Sequence, residues 1–171
     1  MKKIFSGRKA LGLIVLGASL TQFSAVNAEP MIVSATVNGA CQLGVKGPVG
    51  FGVLVPGGAD VIQPATIEYR CTNNTIGYIG IDDGINGVRN MLGNGASAHT
   101  IPYELNTNNS APFNRWGNTG ATEVQVTGTG MAPPLDTVQV YGRVLSADYA
   151  AVEPAYYEDT VQVNISLTPA P

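Results

Sequence analysis

Cys41 and Cys71 are the residues whose type and spacing most directly suggest chemistry. Two cysteines can form a disulfide, act as a redox pair or supply a nucleophile. A redox pair typically has C-x-x-C spacing and a nucleophilic cysteine needs a nearby histidine, and neither pattern surrounds these two residues. We therefore predict a structural Cys41–Cys71 disulfide. Closing a loop of about 30 residues would stabilise the fold by about 3.5 kcal/mol.

The single histidine and a pair of adjacent acids are the other candidates for chemistry. His99 lies in the polar segment "GNGASAHT", which supplies no carboxylate or cysteine as a partner in catalysis or metal binding. Asp82 and Asp83 in "IDDG" could suggest calcium, but the segment lacks the spacing and the terminal Glu of a calcium loop. We therefore predict no catalytic, cofactor-binding or metal-binding residue, no enzymatic activity and no small-molecule substrate.

The start of the chain has the features of an export signal. It begins "MKKIFSGRK", continues with the apolar run "ALGLIVLGASL" and reaches the small residues "VNA". The run is shorter than the roughly 20 apolar residues of a spanning helix, so a retained anchor is the less favoured alternative. We predict that residues 1–28 form a signal peptide cleaved after Ala28, which brings the two cysteines into an oxidising compartment.

The charge of the remaining chain excludes one class of partner. Residues 29–171 keep five basic residues against twelve acidic ones, a net charge of −7. The retained basic residues are scattered and form no cluster in the sequence. This pattern argues against a nucleic-acid partner or an anionic membrane surface.

Short runs of alternating apolar residues, separated by Gly, Pro and Asn, fill the rest of the chain. They include "ATIEYRCT", "IGYIGID", "HTIPYEL", "EVQVTGTG", "DTVQVYGRVLS" and "DTVQVNISLT". In the last run, Val161, Val163, Ile165 and Leu167 share one face. No apolar face recurs at helical spacing for more than a turn, so we predict one antiparallel β-sandwich.

The same alternation occurs in "EPMIVSATVNGAC", directly after the predicted cleavage site. Met31, Val33, Ala35 and Val37 occupy every second position, which is typical of a strand with one buried face. Two interpretations are open: an ordinary first strand of its own domain, or a segment that fills the core of another molecule.

Several segments together resemble the spore coat protein U domain family, which includes subunits of archaic (Csu-type) chaperone–usher pili. They are "MIVSATVNGAC", "VGFGVL", "IEYRCT", "GVRNM" followed by "IPYEL", "RWGN", "VQVYGRVLS" and "AYYEDTVQVNIS". The resemblance covers essentially all of residues 29–171. The chain departs from the family pattern at Leu145, where Pro is common, at Ala155, where Gly is common, and in its tail "SLTPAP".

The resemblance implies an all-β fold, an incomplete immunoglobulin-like antiparallel sandwich completed by donor-strand exchange. Residues 29–38 would be a donor-strand extension and residues 39–171 the pilin domain. On this interpretation Met31, Val33, Ala35 and Val37 form the donor face. The acceptor groove is then lined by Val161, Val163, Ile165 and Leu167.

The same resemblance implies a structural role as a shaft or minor subunit of a cell-surface pilus, in surface attachment and biofilm formation. The expected partners are a periplasmic chaperone, an outer-membrane usher and neighbouring pilin subunits. A secreted surface-binding module (an adhesin) or a resting-cell coat protein would share the fold, and both remain alternatives.

Overall fold

The computed structural model describes residues 32–85, 87–94 and 99–171, which form short antiparallel strands and a single-turn 3₁₀ helix at Ser146–Asp148. The strands are β1 (Cys41–Lys46), β2 (Val61–Cys71), β3 (Ile76–Ile81), β4 (Asn90–Gly93), β5 (Thr100–Pro102), β6 (Glu104–Asn106), β7 (Val124–Thr127), β8 (Asp136–Val144), β9 (Tyr157–Glu158) and β10 (Val163–Ser166). The predicted all-β, antiparallel fold is confirmed.

The chain divides into two units, Met1–Thr36 and Val37–Pro171. The described part of the first unit is residues 32–36, which have no regular secondary structure, and every strand above belongs to the second unit. The predicted signal peptide, residues 1–28, and Met31 lie outside the described residues.

The first sheet has four strands in the order β1-β2-β8-β6, and each neighbouring pair is antiparallel. Its two long central strands pair from Val61 opposite Val144 to Tyr69 opposite Asp136. The period-two alternation read from the sequence buries one face of these strands, as Val140 illustrates with 4% exposure.

The second sheet has the order β10-β3-β7, with β3 in the centre. Its inner face packs on the inner face of the first sheet, and the two sheets share one apolar core. The buried members of that core are Ile67, Tyr69, Cys71, Ile79, Ile81, Leu105, Trp116, Val126 and Val140. Two antiparallel sheets on a shared core make a β-sandwich.

The strand order matches that of an immunoglobulin-type sandwich with one strand missing. In that fold, the first sheet has the order A-B-E-D and strand F lies between C and the last strand, G. Here β1, β2, β8 and β6 take the places of A, B, E and D, while β10 pairs with β3 as F pairs with C. Within the part of the chain that is described, no strand takes the place of G beside β10.

A third, smaller sheet with the order β5-β4-β9 packs over a second core. Met91, Ile101, Val144 and Tyr149 are buried there, and Phe51 from the segment "VGFGVL" packs against them. The run "HTIPYEL", which was predicted as one strand, is divided at Tyr103 into β5 and β6, which belong to different sheets.

Candidate functional site

The strands β1 and β10 lie at the edges of the two main sheets on the same side of the sandwich. A Cβ atom built on Gly77 of β3 would lie 3.2 Å from Cys41 Sγ and 3.2 Å from Ile165 Cδ1, so side chains of the two edge strands meet over β3. The outer edges of both strands are unpaired in the described residues. We call this side, formed by β1 and β10, the open edge.

The disulfide joins β1 to β2 at one end of the open edge. Cys41 and Cys71 are directly opposite each other in the ladder, and their sulfur atoms are bonded. The predicted structural disulfide is therefore confirmed. It fixes the start of β1 on the first sheet.

The side chains predicted to line an acceptor groove lie along β10 and its flanks. Val161, Val163 and Ile165 are half-buried and pack against the main core. Leu167 follows the end of β10 and is 46% exposed. The strand itself is shorter than the predicted run, because hydrogen-bonded pairing with β3 extends from Val163 to Ser166.

The predicted donor residues Val33, Ala35 and Val37 are all exposed, with 83% of the Val33 side chain and 82% of the Val37 side chain accessible. Ile32, between two predicted donor positions, is 90% exposed as well. Residues 32–40 form no strand. The apolar side chains of residues 32–37 are therefore exposed, and the backbone of residues 32–40 does not pair in a β-ladder.

The opposite side of the sandwich is closed by residues 114–117, which we call the closed edge. The Trp116 backbone N–H donates to Leu105 O of β6 at 2.8 Å, and the Ile81 N–H of β3 donates to Gly117 O at 3.0 Å. The Trp116 indole N–H donates to Ile79 O at 2.8 Å. This crossing segment satisfies edge groups of both sheets and fills the space between them with a fully buried indole.

Arg89 holds the closed edge together from inside. It is 8% exposed, and its guanidinium donates to the carbonyl oxygens of Ile81 (2.9 Å), Trp116 (2.6 Å) and Leu105 (3.3 Å). Burial, followed by repulsion from Arg115, lowers the pKa of Arg89. The sequence did not predict this role, since an arginine in a Gly- and Asn-rich segment is typical of a solvated loop.

A cavity of about 480 Å³ opens beside Arg89, and its charged groups neutralise one another. Asp83 contacts Arg89 Nε at 3.4 Å and also pairs with Arg115. The lining residues are Asp83, Val88, Arg89, Tyr103, Glu104, Asn106, Phe113 and Arg115. Among the described residues, this lining contains no nucleophile paired with a general base.

The remaining sequence candidates have structural partners. Asp82 Oδ1 accepts from the backbone N–H groups of Gly84 (3.0 Å) and Gln162 (2.8 Å), so it fixes a turn. His99 Nδ1 lies 3.8 Å from Glu153 Oε2. Among the described residues, no group of three or more His, Cys, Asp or Glu side chains could hold a metal ion.

Comparison with known families identifies the domain. A sequence model of the Spore Coat Protein U domain matches residues 27–164. The chain belongs to this family. No curated protein sequence matches it.

Among solved structures, the Spore Coat Protein U domain chain is similar to one in a crystal structure from Acinetobacter baumannii. That structure is the CsuC–CsuE chaperone–tip adhesion subunit pre-assembly complex of archaic chaperone–usher Csu pili. The TM-score is 0.49 at 20% sequence identity, over 76% of this chain and 40% of the matched chain. This chain therefore spans less than half of the length of that relative.

Several motifs of the Spore Coat Protein U domain now have structural positions. "GVRNM" supplies the buried Arg89, "RWGN" supplies Trp116 and Gly117 of the closed edge, and "VQVYGRVLS" forms most of β8. Among the described residues, no helix is long and apolar enough to cross a bilayer.

Proposed function

We propose that this chain is a structural subunit of an archaic chaperone–usher pilus and that it polymerises by donor-strand complementation. One observation carries the proposal: within the described residues, β10, in the place of strand F, has an unpaired outer edge beside half-buried apolar side chains. Family membership and the alternating segment before Cys41 support it.

The donor segment has the two properties that the open edge needs. Its backbone can pair with the outer edge of β10, and its alternate side chains can enter the space between the sheets, as in β-strand addition. Met31, Val33, Ala35 and Val37 of one copy would pack against Val161, Val163, Ile165 and Leu167 of the next. Full burial of the four donor side chains would contribute about 5–8 kcal/mol.

Assembly by this contact produces a fibre rather than a closed oligomer. Each copy presents an acceptor on its domain and a donor on a separate segment, so contacts repeat head to tail without closing. An unfilled edge of this kind would aggregate, and we therefore include a periplasmic chaperone and an outer-membrane usher as partners. The fibre would be exposed on the cell surface, where it would serve attachment and biofilm formation.

Electrophoresis of surface material tests the proposal, because strand-exchanged fibres resist denaturant until heated. We expect the unaltered protein to give a ladder at subunit spacing without boiling and one monomer band after boiling. Val33→Arg places a charge on the donor face, where burial would leave it unpaired. This variant should remain bound to its chaperone and give no ladder.

Ser34→Arg is the matched control, because it adds the same charge to the same segment between two predicted donor positions. A ladder in the Ser34→Arg sample but not in the Val33→Arg sample supports an alternating donor face. A full ladder with Val33→Arg would contradict the proposal.

A further inference from the structure

The direction of β10 determines where an inserted donor strand would leave the domain. β10 begins opposite Ile81 and ends opposite Tyr78, so it runs toward the end of the sandwich that carries the disulfide. A donor antiparallel to β10 would leave at the other end, beside Val161. A parallel donor would leave at the disulfide end, where the acceptor's own first strand already enters, and successive domains would fold back on each other.

The connection between the donor segment and its own domain is short, because the domain holds the residues before Cys41. The Thr72 N–H donates to Ala40 O at 2.9 Å, and the Ala40 N–H donates to Thr72 Oγ1 at 3.1 Å. A Cβ atom on Gly39 would lie 3.2 Å from Thr75. Asn38 is then the free residue between Val37 and Gly39, and two residue steps span about 7 Å at most.

This short connection brings two specific surfaces together. The disulfide end of the donor's domain, with its turn at residues 72–75, would therefore lie within about 7 Å of the point where the donor leaves the acceptor. On the acceptor, that point lies beside Val161 at the outer edge of the chain, and Ile85 lies on the other side of this chain, where its N–H donates to Thr160 O at 2.9 Å.

The acceptor surface at this point is apolar and exposed. Ile85 is 76% accessible and Val88 on the same loop is 53% accessible, although large aliphatic side chains usually avoid water. At the disulfide end, Ile76 is 44% accessible and Leu135 is 37% accessible. Contact between these two ends would remove aliphatic surface on both partners from water.

We propose that Ile85 and Val88 form a second contact between successive subunits, against the disulfide end of the next copy of this chain. The inference rests on the proposed function, because the donor segment sets the distance between the two surfaces. The contact would limit bending at each junction, since a single extended connection such as Asn38 would otherwise act as a hinge.

A photo-crosslinking amino acid, p-benzoylphenylalanine, in place of Ile85 tests the contact within fibres assembled from the full chain. After irradiation, we expect dimer and higher bands that survive boiling, with the crosslinked peptides in the Ile85 loop and at the disulfide end. Gln139, exposed on the outer face of β8, is the control position and should give no bands that survive boiling.

The experiment distinguishes failure of the second contact from failure of the proposed function. If unboiled fibres with the crosslinker at Ile85 show the heat-sensitive ladder but irradiation adds no boiling-resistant bands, strand exchange stands and the second contact is refuted. If the unaltered protein forms no heat-sensitive ladder, the proposed function fails and the second contact fails with it. Crosslinks from Gln139 as strong as those from Ile85 would also refute a defined contact.

Discussion

The two sides of this sandwich differ in how the backbone groups at the sheet edges are hydrogen-bonded. At the closed edge, residues 114–117 pass from β6 to the end of β3, and Trp116 and Arg89 satisfy carbonyl groups of both sheets. At the open edge, β1 and β10 lie side by side without a covering strand in the described residues. One side is completed by its own chain, and the other exposes backbone groups and half-buried aliphatic side chains.

The difference indicates which side of this domain is stabilised by contacts within the chain. Buried polar groups at the closed edge are paired within the chain, so this side should tolerate little change and respond little to partners. The open edge lacks that internal pairing. Its stability should depend strongly on whether a partner strand is bound.

Among the substitutions considered, removal of the buried Arg89 guanidinium should change the free energy of unfolding most. Arg89→Met removes the guanidinium donor from the carbonyl oxygens of Ile81 and Trp116 and leaves Leu105 O with the Trp116 N–H alone. We expect the free energy of unfolding to fall by about 3–5 kcal/mol. Arg115→Met is the matched control, because the Arg115 side chain is 60% exposed and its pair with Asp83 is solvated. That change should cost less than about 1 kcal/mol.

Urea unfolding of the full chain, followed by tryptophan fluorescence, measures both variants, since Trp116 reports directly on the closed edge. Equal midpoints for Arg89→Met and the unaltered protein would mean that the buried contacts contribute nothing net. The closed edge would then have no energetic distinction from the open edge.

The sequence predicted the strands in which apolar and polar residues alternate. It did not predict the contacts that depend on one side chain, such as Arg89. Alternation located β2, β3, β7, β8 and β10, and the two cysteines predicted their disulfide. β1, "CQLGVK", was not predicted, because Gly44 and Lys46 dilute its apolar pattern. Arg89 gave no periodic signal, since its role depends on carbonyl groups brought together from distant segments.

The open edge shows a second limit of sequence patterns. Alternation placed Val161, Val163, Ile165 and Leu167 on one face, and the structure packs the first three against the core. The pattern could not indicate that β10 would have no neighbour on one side among the strands that the structure describes. A strand buried by its own chain and a strand buried by a partner have the same periodicity.

Identical substitutions in the enclosed core and at the open edge should have an intermediate effect on stability. Val140→Ala truncates a fully enclosed side chain with 4% exposure, and we expect a loss of about 2–3 kcal/mol. Val163→Ala makes the same change at the half-buried open edge. In the monomeric full chain it should cost about 1 kcal/mol, because part of the side chain already contacts water.

A synthetic peptide of residues 29–38 tests whether Val163, but not Val140, contacts a bound donor strand. The peptide should raise the thermal midpoint of the unaltered chain and of Val140→Ala by similar amounts. It should raise the midpoint of Val163→Ala less, because the truncated side chain contacts the bound strand. A peptide shift that is identical in all three proteins would separate Val163 from the acceptor groove.

A pH-dependent effect concerns Tyr103, which connects the closed side of the domain to the segment before β10. Its hydroxyl donates to Asp159 Oδ2 at 2.7 Å, and burial, followed by this hydrogen bond, raises the pKa of Tyr103 above its usual value. Folding therefore favours the protonated phenol. The resulting stabilisation is complete below pH about 10, the unfolded pKa, and is lost as the pH rises toward the folded pKa.

Tyr103→Phe should reduce the free energy of unfolding by about 1–2 kcal/mol at pH 7, through the lost hydrogen bond. The difference between the two proteins should shrink above pH about 10, since ionisation of Tyr103 penalises only the unaltered chain. Tyr69, whose pKa is also raised by burial, remains in both proteins and cancels in the comparison. A stability difference that stays constant from pH 8 to pH 11 (about three units around the unfolded pKa) would show that the phenol proton does not couple the two regions.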